Sequence, residues 1–176
     1  MNICIYGASS AELKKIYYEK TEELGQLMGK RGHGLVFGGG KEGLMGAAAR
    51  GVDREKGYIL GIAPRFFDQP GVLYEHCTEF IFTENMRERK HLLESRSDAT
   101  IVVPGGIGTY EEFFEILTLK QLERHNKAIV VLNVAGGILR QHAGTPGIHS
   151  RGKIYVQRCC GYVPVHERPG GDPGLY

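Results

Sequence analysis

The chain has 176 residues, enough for one domain with a sizeable core and too few for two comfortable ones. Apolar residues make up 41% and charged residues 24%, the range of globular proteins, and no apolar run approaches the roughly 18–20 residues of a membrane span. Residues 1–134 carry 17 basic and 18 acidic side chains, whereas residues 135–176 carry 5 basic and 2 acidic ones. The net charge of +2 therefore arises in the tail, and no basic stripe for nucleic-acid binding is predicted in the rest of the chain.

The amino terminus and the cysteines indicate in which cellular compartment the protein is found. Met1–Tyr6 lacks a basic region and reaches a glycine too early for the apolar core of a signal peptide. The four cysteines show no Cys-x-x-Cys spacing, and Cys159 and Cys160 are adjacent. Free thiols in a reducing compartment explain this pattern more simply than disulfides do, so we expect a cytoplasmic protein.

A strand-turn-helix unit is predicted first. The apolar run Asn2–Tyr6 ends at Gly7-Ala-Ser-Ser10, and a one-sided apolar stripe follows from Leu13 to Met28. Ser9 and Ser10 suit helix caps, although a hydroxyl at the carboxyl end of a strand can also contact a ligand. Ser9 is therefore both a candidate cap and a candidate binding residue.

The second unit contains a glycine-rich turn. Leu35–Phe37 precedes Gly38-Gly-Gly40-Lys-Glu-Gly43, which matches the dinucleotide fingerprint and opens a helix over residues 44–55. An NAD site requires an acidic residue after the next strand, but Tyr58–Ala63 runs into proline and arginine, which disfavours a dehydrogenase. The turn either brings the backbone at Gly39 close to a smaller nucleotide or packs its helix tightly on the sheet.

Basic residues open the next predicted helix. Residues 64–77 are predicted to form a surface loop long enough to cover a site, and Glu79–Phe82 a short strand. Asn85 suits a cap for a helix running to about Ser97, whose first turns carry Arg87, Arg89 and Lys90. Cations oppose the helix dipole there, a local conflict typical of sites where a ligand compensates. A solvated charged face is the alternative, because acidic residues interleave.

The stretch Pro104-Gly-Gly-Ile-Gly-Thr-Tyr-Glu-Glu112 joins a strand, Ala99–Val103, to a helical run, Phe113–Arg124. A helix amino terminus carries unpaired N–H groups and about half a positive charge, and glycines let a phosphate approach the backbone. Glu112 shares a helix face with Thr109. We predict a phosphate site with a carboxylate beside it, formed by Gly105, Gly106, Gly108 and Thr109.

A capping box is the alternative interpretation of this stretch. In Thr109-x-x-Glu112 the threonine would cap the helix and the glutamate would bond back to the threonine N–H. A cap requires no preceding glycines, and each glycine carries an entropic cost. The glycines therefore favour a ligand site.

The alternation of strands and helices predicts an α/β fold over residues 1–134. With the apolar strand Ala128–Leu132 included, we expect a Rossmann-like, doubly wound parallel sheet with helices on both faces. The glycine-rich and basic turns then converge at the carboxyl edge of the sheet.

Three motifs in this order resemble the LOG ("lonely guy") family of nucleoside 5'-monophosphate phosphoribohydrolases, many of whose members carry an older lysine decarboxylase label. The motifs are Gly38-Gly-Gly40 with Gly43-Leu-Met-Gly46, Met86-Arg-Glu-Arg-Lys90, and Pro104 to Glu112. The resemblance covers residues 2 to about 134. It implies a homodimer that needs no cofactor and releases a cytokinin base and ribose 5-phosphate from the riboside monophosphate, often accepting AMP.

The resemblance also implies roles for individual residues. The catalytic pair falls on Arg89 and Glu112, with the phosphate on the glycines and threonine named above. Glu115 would line the ribose side, and Met86 and Lys90 would border the base. Arg87 stands where the family commonly has histidine. This difference concerns the contacts with the base more than the catalytic chemistry.

The implied chemistry agrees with these residue types. Cleavage of an N-glycosidic bond builds oxocarbenium character on the ribose, so a carboxylate at Glu112 can stabilise that charge, position hydroxyls or activate water. Arg89 is permanently charged and would act electrostatically. The alternative is a molybdenum-cofactor carrier, which has a similar glycine-rich turn but no need of this pair. No lysine has a pyridoxal-type context, which disfavours decarboxylation.

The tail, residues 135–176, has a different character. It holds 9 of the 26 glycines and 4 of the 7 prolines and no helical period, where the family would continue with an amphipathic helix. A reading frame shifted from about residue 136 is our hypothesis, and we expect poor order. Only Gly152–Val156 looks strand-like and could pair at a sheet edge. No metal site is predicted, because the spacing of these residues fits none: His142, His149, Cys159, Cys160 and His166.

The helix after the phosphate turn has more apolar surface than one sheet contact requires. Its apolar side chains are Phe113, Phe114, Ile116, Leu117, Leu119 and Leu122. We therefore expect a homodimer in which the surplus face packs on a second copy.

Overall fold

The computed structural model describes residues 1–134, 154–158 and 161–162, which form eight strands, four α-helices and one 3-10 turn. The strands are β1 (Asn2–Tyr6), β2 (Gly34–Phe37), β3 (Ile59–Pro64), β4 (Glu79–Thr83), β5 (Ala99–Val102), β6 (Ala128–Asn133), β7 (Ile154–Arg158) and β8 (Gly161–Tyr162). The helices are α1 (Lys15–Lys30), α2 (Gly43–Arg54), α3 (Met86–Ser95) and α4 (Ile107–Gln121), and the 3-10 turn is Arg65–Phe67.

All strands belong to one sheet, in the order β4-β3-β2-β1-β5-β6-β7-β8. Every pairing is parallel except that of β8 with β7. The chain winds outward from β1 to β4, then crosses back to place β5 on the other side of β1. The strand order therefore reverses between β1 and β5, and ligands of such sheets bind beyond the carboxyl ends of the strands at this reversal.

Two apolar layers cover the two faces of the sheet. Side chains alternate along β1, so that Ile3 and Ile5 pack in the layer that contains α1 and α2, whereas Cys4 and Tyr6 pack in the layer that contains α3 and α4. In the central strands β1, β2 and β3 nearly every residue is buried on both faces of the sheet, which explains why these strands are continuously apolar in sequence. The predicted doubly wound α/β fold is confirmed.

The start of α1 differs from the sequence-based expectation, and the pairing of one strand in the tail adds to it. Helix α1 begins at Lys15 with Lys14 as its cap residue, so Ser9 and Ser10 do not cap it. Ser10 instead accepts a hydrogen bond from the backbone N–H of Glu12, at 3.1 Å. The strand-like stretch near residue 154 forms β7, which pairs with β6 at the sheet edge. Apart from Gly161–Tyr162, which form β8, the rest of the predicted tail, with its histidines and cysteines, lies outside the described residues.

Helices α1 and α2 approach each other through glycine. A Cβ added at Gly51 would lie 2.2 Å from the Glu22 carbonyl oxygen, and a Cβ added at Gly25 would lie 2.3 Å from the Ala48 carbonyl oxygen. Real Cβ atoms do not tolerate such distances to backbone. Helix α2 therefore packs tightly, and its Ala47, Ala48 and Ala49 are fully buried. This agrees with the packing interpretation of the glycine turn that precedes α2, although it does not test whether the turn also contacts a ligand.

We predict that Gly51→Ala destabilises the fold. Alanine favours a helix over glycine by about 1 kcal/mol, but overpacking costs about 1–3 kcal/mol and here the collision is with backbone. The midpoint of urea unfolding should therefore fall. Gly40→Ala is the matched control, because a Cβ there meets nothing within 4 Å. Equal midpoints for the two variants would contradict the close helix contact.

Candidate active site

Backbone hydrogen bonds join three turns at the reversal of strand order. The Ala8 N–H, after β1, donates to the Pro104 carbonyl oxygen at 3.1 Å. The Leu44 N–H, in the first turn of α2, donates to the Ala8 carbonyl oxygen at 2.8 Å. The turns after β1, β2 and β5 are thereby fixed relative to one another, which builds the floor of a crevice at the carboxyl edge.

Helix α4 presents an open amino terminus to this crevice. Gly106 is its cap residue and supplies no side chain, so the first N–H groups of the helix are not capped from within. A Cβ added at Gly106 or Gly108 would meet nothing within 4 Å, whereas a Cβ at Gly105 would lie 2.0 Å from the Thr109 hydroxyl oxygen. Two glycines therefore leave the helix end accessible, and the third makes room for Thr109.

The capping-box alternative is wrong. Helix α4 begins at Ile107, several residues before the expected helical run, so Thr109 lies inside the helix rather than at its cap. Glu112 makes its hydrogen bond to a different helix. The physical reason is that the glycines already form the turn, which leaves both side chains available for other contacts.

Glu112 and Arg89 form a buried ion pair between α3 and α4. The Arg89 Nη1 donates to the Glu112 Oε1 at 2.7 Å, and the two side chains are 8% and 9% exposed. A Cβ added at Gly38 would lie 2.1 Å from the Arg89 Nη2, so the guanidinium group lies directly against the glycine turn after β2. The Arg89 Nε is buried and has no hydrogen-bond partner among the described residues.

Burial raises the pKa of the Glu112 carboxyl, and the charge and hydrogen bond of Arg89 act in the opposite direction. A carboxylate with a raised pKa accepts a proton more readily than an exposed one does. The permanent positive charge of Arg89 also holds the Glu112 carboxylate in one orientation. The pair therefore combines a basic oxygen with a cation at the edge of the crevice.

Lys90 occupies the neighbouring position on α3 and binds two carboxylates of α4. Its Nζ forms ion pairs with Glu111 and, at 2.7 Å, with the Glu115 Oε2. Hydrogen bonds to Glu111 and Glu115 raise the pKa of Lys90. A cavity of about 220 Å³ opens beside this cluster, floored by Tyr6 and Ile116. Predicted residues Lys90 and Glu115 thus lie together, and the role of Glu111 was not foreseen.

The remaining predicted residues lie at the rim. Asn85 caps α3 as expected, accepting from the N–H groups of Arg87 and Glu88 at 3.0 Å. Met86 follows it and is 40% exposed. Ser9 is exposed after β1. Gly39 has a positive φ of 78°, and a Cβ there would lie 2.6 Å from the Phe80 ring, so packing alone explains this glycine.

Gly38 is the site residue that sequence reasoning missed. The glycine run indicated a close backbone approach, but three successive glycines give no sign of which one a side chain contacts. Only the position of Arg89, contributed by a helix about 50 residues later in the chain, identifies Gly38.

Neither a metal-binding cluster nor a membrane-spanning helix is found among the described residues. Over residues 1–134, 154–158 and 161–162, no three or more histidine, cysteine, aspartate or glutamate side chains are grouped as they would be to hold a metal ion. In the same residues, no helix has both the length and the apolar character required to cross a membrane.

The solved structures that this fold resembles include molybdenum-cofactor proteins. One is the molybdenum cofactor binding protein from Rippkaea orientalis, with a TM-score of 0.67 and 22% identity over 88% of this chain and 86% of that one. Another is the molybdenum cofactor carrier protein from Chlamydomonas reinhardtii, with a TM-score of 0.66 and 22% identity over 88% of each chain. At such identities the likeness concerns the fold alone.

Sequence comparison is more specific. A family model described as "Possible lysine decarboxylase" matches residues 45–141. Cytokinin riboside 5'-monophosphate phosphoribohydrolases from Oryza sativa subsp. japonica and Arabidopsis thaliana are each 37% identical over 134 residues, 76% of this chain. The match spans 55% of the rice protein and 59% of the Arabidopsis protein, a little over half of their lengths. Because the family model covers more than half of this chain and such relatives match three quarters of it, the chain belongs to the LOG family that its motifs resemble.

Proposed function

We propose that this protein hydrolyses the N-glycosidic bond of a nucleoside 5'-monophosphate, either AMP or a cytokinin riboside 5'-monophosphate, and releases the free base and ribose 5-phosphate. The observation that carries the proposal is the buried Arg89–Glu112 pair at the edge of an open helix amino terminus. The names of the related phosphoribohydrolases support it.

The phosphate provides the anchor in this proposal. Its oxygens accept hydrogen bonds from the first N–H groups of α4, beside Gly106 and Gly108, where the helix dipole favours a negative charge. The Thr109 hydroxyl lies next to Gly105 and can donate as well. Anchoring at this end places the sugar toward Glu112, one turn further along the helix.

The chemistry then follows from the ion pair. The C1'–N bond breaks with its electron pair leaving on the base, and the ribose acquires oxocarbenium character. The Glu112 carboxylate stabilises that charge and accepts a proton from the water that attacks C1'. Arg89 stays charged throughout and stabilises the negative charge that develops on the departing base. Water supplies the hydroxyl of ribose 5-phosphate. The departing base takes up one proton from solvent, and Glu112 returns its proton to solvent, so the protons balance.

A carrier of the molybdenum cofactor is the second candidate, because the fold is shared with such proteins. Fold alone does not decide function, since one fold supports many sites. A carrier binds its cargo without turnover and gains nothing from a buried carboxylate at the sugar position. Turnover therefore separates the two candidates.

We predict that the purified protein converts AMP to adenine and ribose 5-phosphate, and that adenosine is a very poor substrate. The reason is that adenosine lacks the group that the α4 amino terminus binds. Chromatography of the reaction mixture measures both products. Equal turnover of adenosine and AMP would contradict phosphate anchoring, and binding without product would favour a carrier.

We predict that Glu112→Gln lowers kcat by about 10²–10⁴-fold, the usual contribution of a general base, while AMP binding changes little. The amide keeps the shape of the carboxylate and can still accept from Arg89, but it cannot take a proton from water. Steady-state kinetics and calorimetry with AMP separate the two effects. Glu123→Gln, at the exposed carboxyl end of α4, is the control and should behave as wild type. A Glu112→Gln variant with most of its activity would show that this carboxylate is structural.

We also propose that the protein is a homodimer. Phe113, Ile116 and Leu117 of α4 are buried against the sheet, but Ile107, Phe114 and Leu122 are 87%, 42% and 63% exposed. Such a surplus apolar face is typical of a subunit contact. Light scattering at micromolar concentration should give twice the monomer mass, and Phe114→Glu should lower that mass. A monomeric wild type would overturn this assignment.

A further inference from the structure

The Asn133 side chain is an unexplained polar group at the end of β6. Asn133 is 8% exposed, and its Oδ1 is buried without a hydrogen-bond partner in the part of the chain that the structure describes. A buried acceptor left unsatisfied costs about 1–3 kcal/mol, so such groups in native proteins require a reason. A bound ligand is one such reason.

The register of the sheet places Asn133 beside the phosphate turn. Val131 of β6 pairs with Val102 of β5, so the last residues of β6 run alongside the start of the turn that contains Gly105. Ile129 and Val131 pack in the same layer as α4, whereas Leu132 packs on the other face. Because strand side chains alternate, Asn133 faces the layer of α4 at the level of its first turns.

A second unsatisfied group belongs to the Arg89–Glu112 pair. The Arg89 Nε is also buried without a partner among the described residues, and Arg89 is bonded to Glu112 of α4. One orphan atom is a donor on α3, which is bonded to α4 through Glu112, and the other is an acceptor on β6, a strand that packs in the same layer as α4. A ligand that offers both acceptors and donors can satisfy both.

We propose that the Asn133 carboxamide binds a ribose hydroxyl of the nucleotide and is a further substrate-binding residue. The buried atom is an acceptor, and the oxygens of a phosphate monoester offer no hydrogen at neutral pH, whereas ribose hydroxyls donate. With the phosphate on the α4 amino terminus and C1' near Glu112, the ribose lies between them, on the face that Asn133 reaches. This assignment rests on the proposed function for its choice of ligand.

The first test is Asn133→Leu, which keeps the side-chain size and removes the carboxamide. We expect KM for AMP and the dissociation constant of ribose 5-phosphate to rise about tenfold, the effect of one lost hydrogen bond to a buried group. The variant should be at least as stable as wild type in urea, because an unsatisfied polar group has been replaced by an apolar one. A purely structural role for Asn133 predicts the reverse, lower stability without a specific loss of affinity.

Thr21→Val is the matched control. The Thr21 hydroxyl is also fully buried without a partner among the described residues, but it lies on α1, which packs on the opposite face of the sheet from Arg89 and Glu112. This variant should likewise be at least as stable as wild type, yet leave KM for AMP unchanged. A similar rise in KM in both variants would show that Asn133→Leu acts through the fold.

Deoxynucleotides make the test specific to the ribose. Asn133 contacts either the 2'-hydroxyl or the 3'-hydroxyl in this proposal. Wild type should therefore bind AMP more tightly than the analogue that lacks the contacted hydroxyl, which is 2'-deoxy-AMP or 3'-deoxy-AMP. Asn133→Leu should bind that analogue and AMP equally. If Asn133→Leu still preferred AMP over that analogue as strongly as wild type does, the proposal would be overturned. Unchanged KM and affinity for AMP in this variant would overturn it as well. If Asn133→Leu does not fold, Asn133→Ala carries the same comparison.

The outcomes also separate this proposal from the proposed function. If wild type hydrolyses AMP and Asn133→Leu is unaffected, only the assignment of Asn133 fails. If wild type binds AMP without hydrolysing it, the proposed function fails, and calorimetry with the deoxynucleotides still decides whether Asn133 contacts the ribose. If wild type binds no AMP, both proposals are wrong.

Discussion

The buried ion pair between Arg89 and Glu112 is the interaction on which the candidate site depends. Transfer of each ion from water into a protein costs several kcal/mol, and the pair is tolerated because the two groups meet at 2.7 Å. Loss of either partner would leave an uncompensated buried charge. The pair therefore holds α3 and α4 in one arrangement at the carboxyl edge of the sheet and fixes the orientation of the carboxylate relative to the open helix end.

Glycines make this arrangement possible through two different physical effects. Gly38 and Gly105 leave room for side chains, since Arg89 and Thr109 occupy the space that a Cβ would take. Gly106 and Gly108 instead have open space above them, which leaves backbone N–H groups of α4 accessible. In the turn before α4, Gly105 thus serves internal packing, and the next residue, Gly106, serves access from outside.

The fold alone does not settle what this protein does, because structures of molybdenum-cofactor proteins share it at 22% identity. Membership of the LOG family is shown by sequence, whereas the functional argument depends on particular atoms. An uncapped helix amino terminus, a buried carboxylate with a raised pKa and a fixed cation lie on neighbouring elements at the carboxyl edge of the sheet. This combination is the basis of our proposal that the protein cleaves a glycosidic bond in a phosphorylated nucleoside rather than binding a ligand passively.

The sequence by itself determined the fold class and pointed to the regions that form the candidate site. Apolar runs and glycine turns are local patterns, and parallel strands bring such turns to one edge, so the convergence of the motifs could be predicted. The ion pair of Glu112 with Arg89 could not be predicted from the local pattern around Glu112, because Arg89 belongs to another helix, 23 residues earlier in the chain. The contact of Arg89 with Gly38 and the burial of Asn133 were decided only by tertiary structure, since each depends on which strands and helices become neighbours across long stretches of chain.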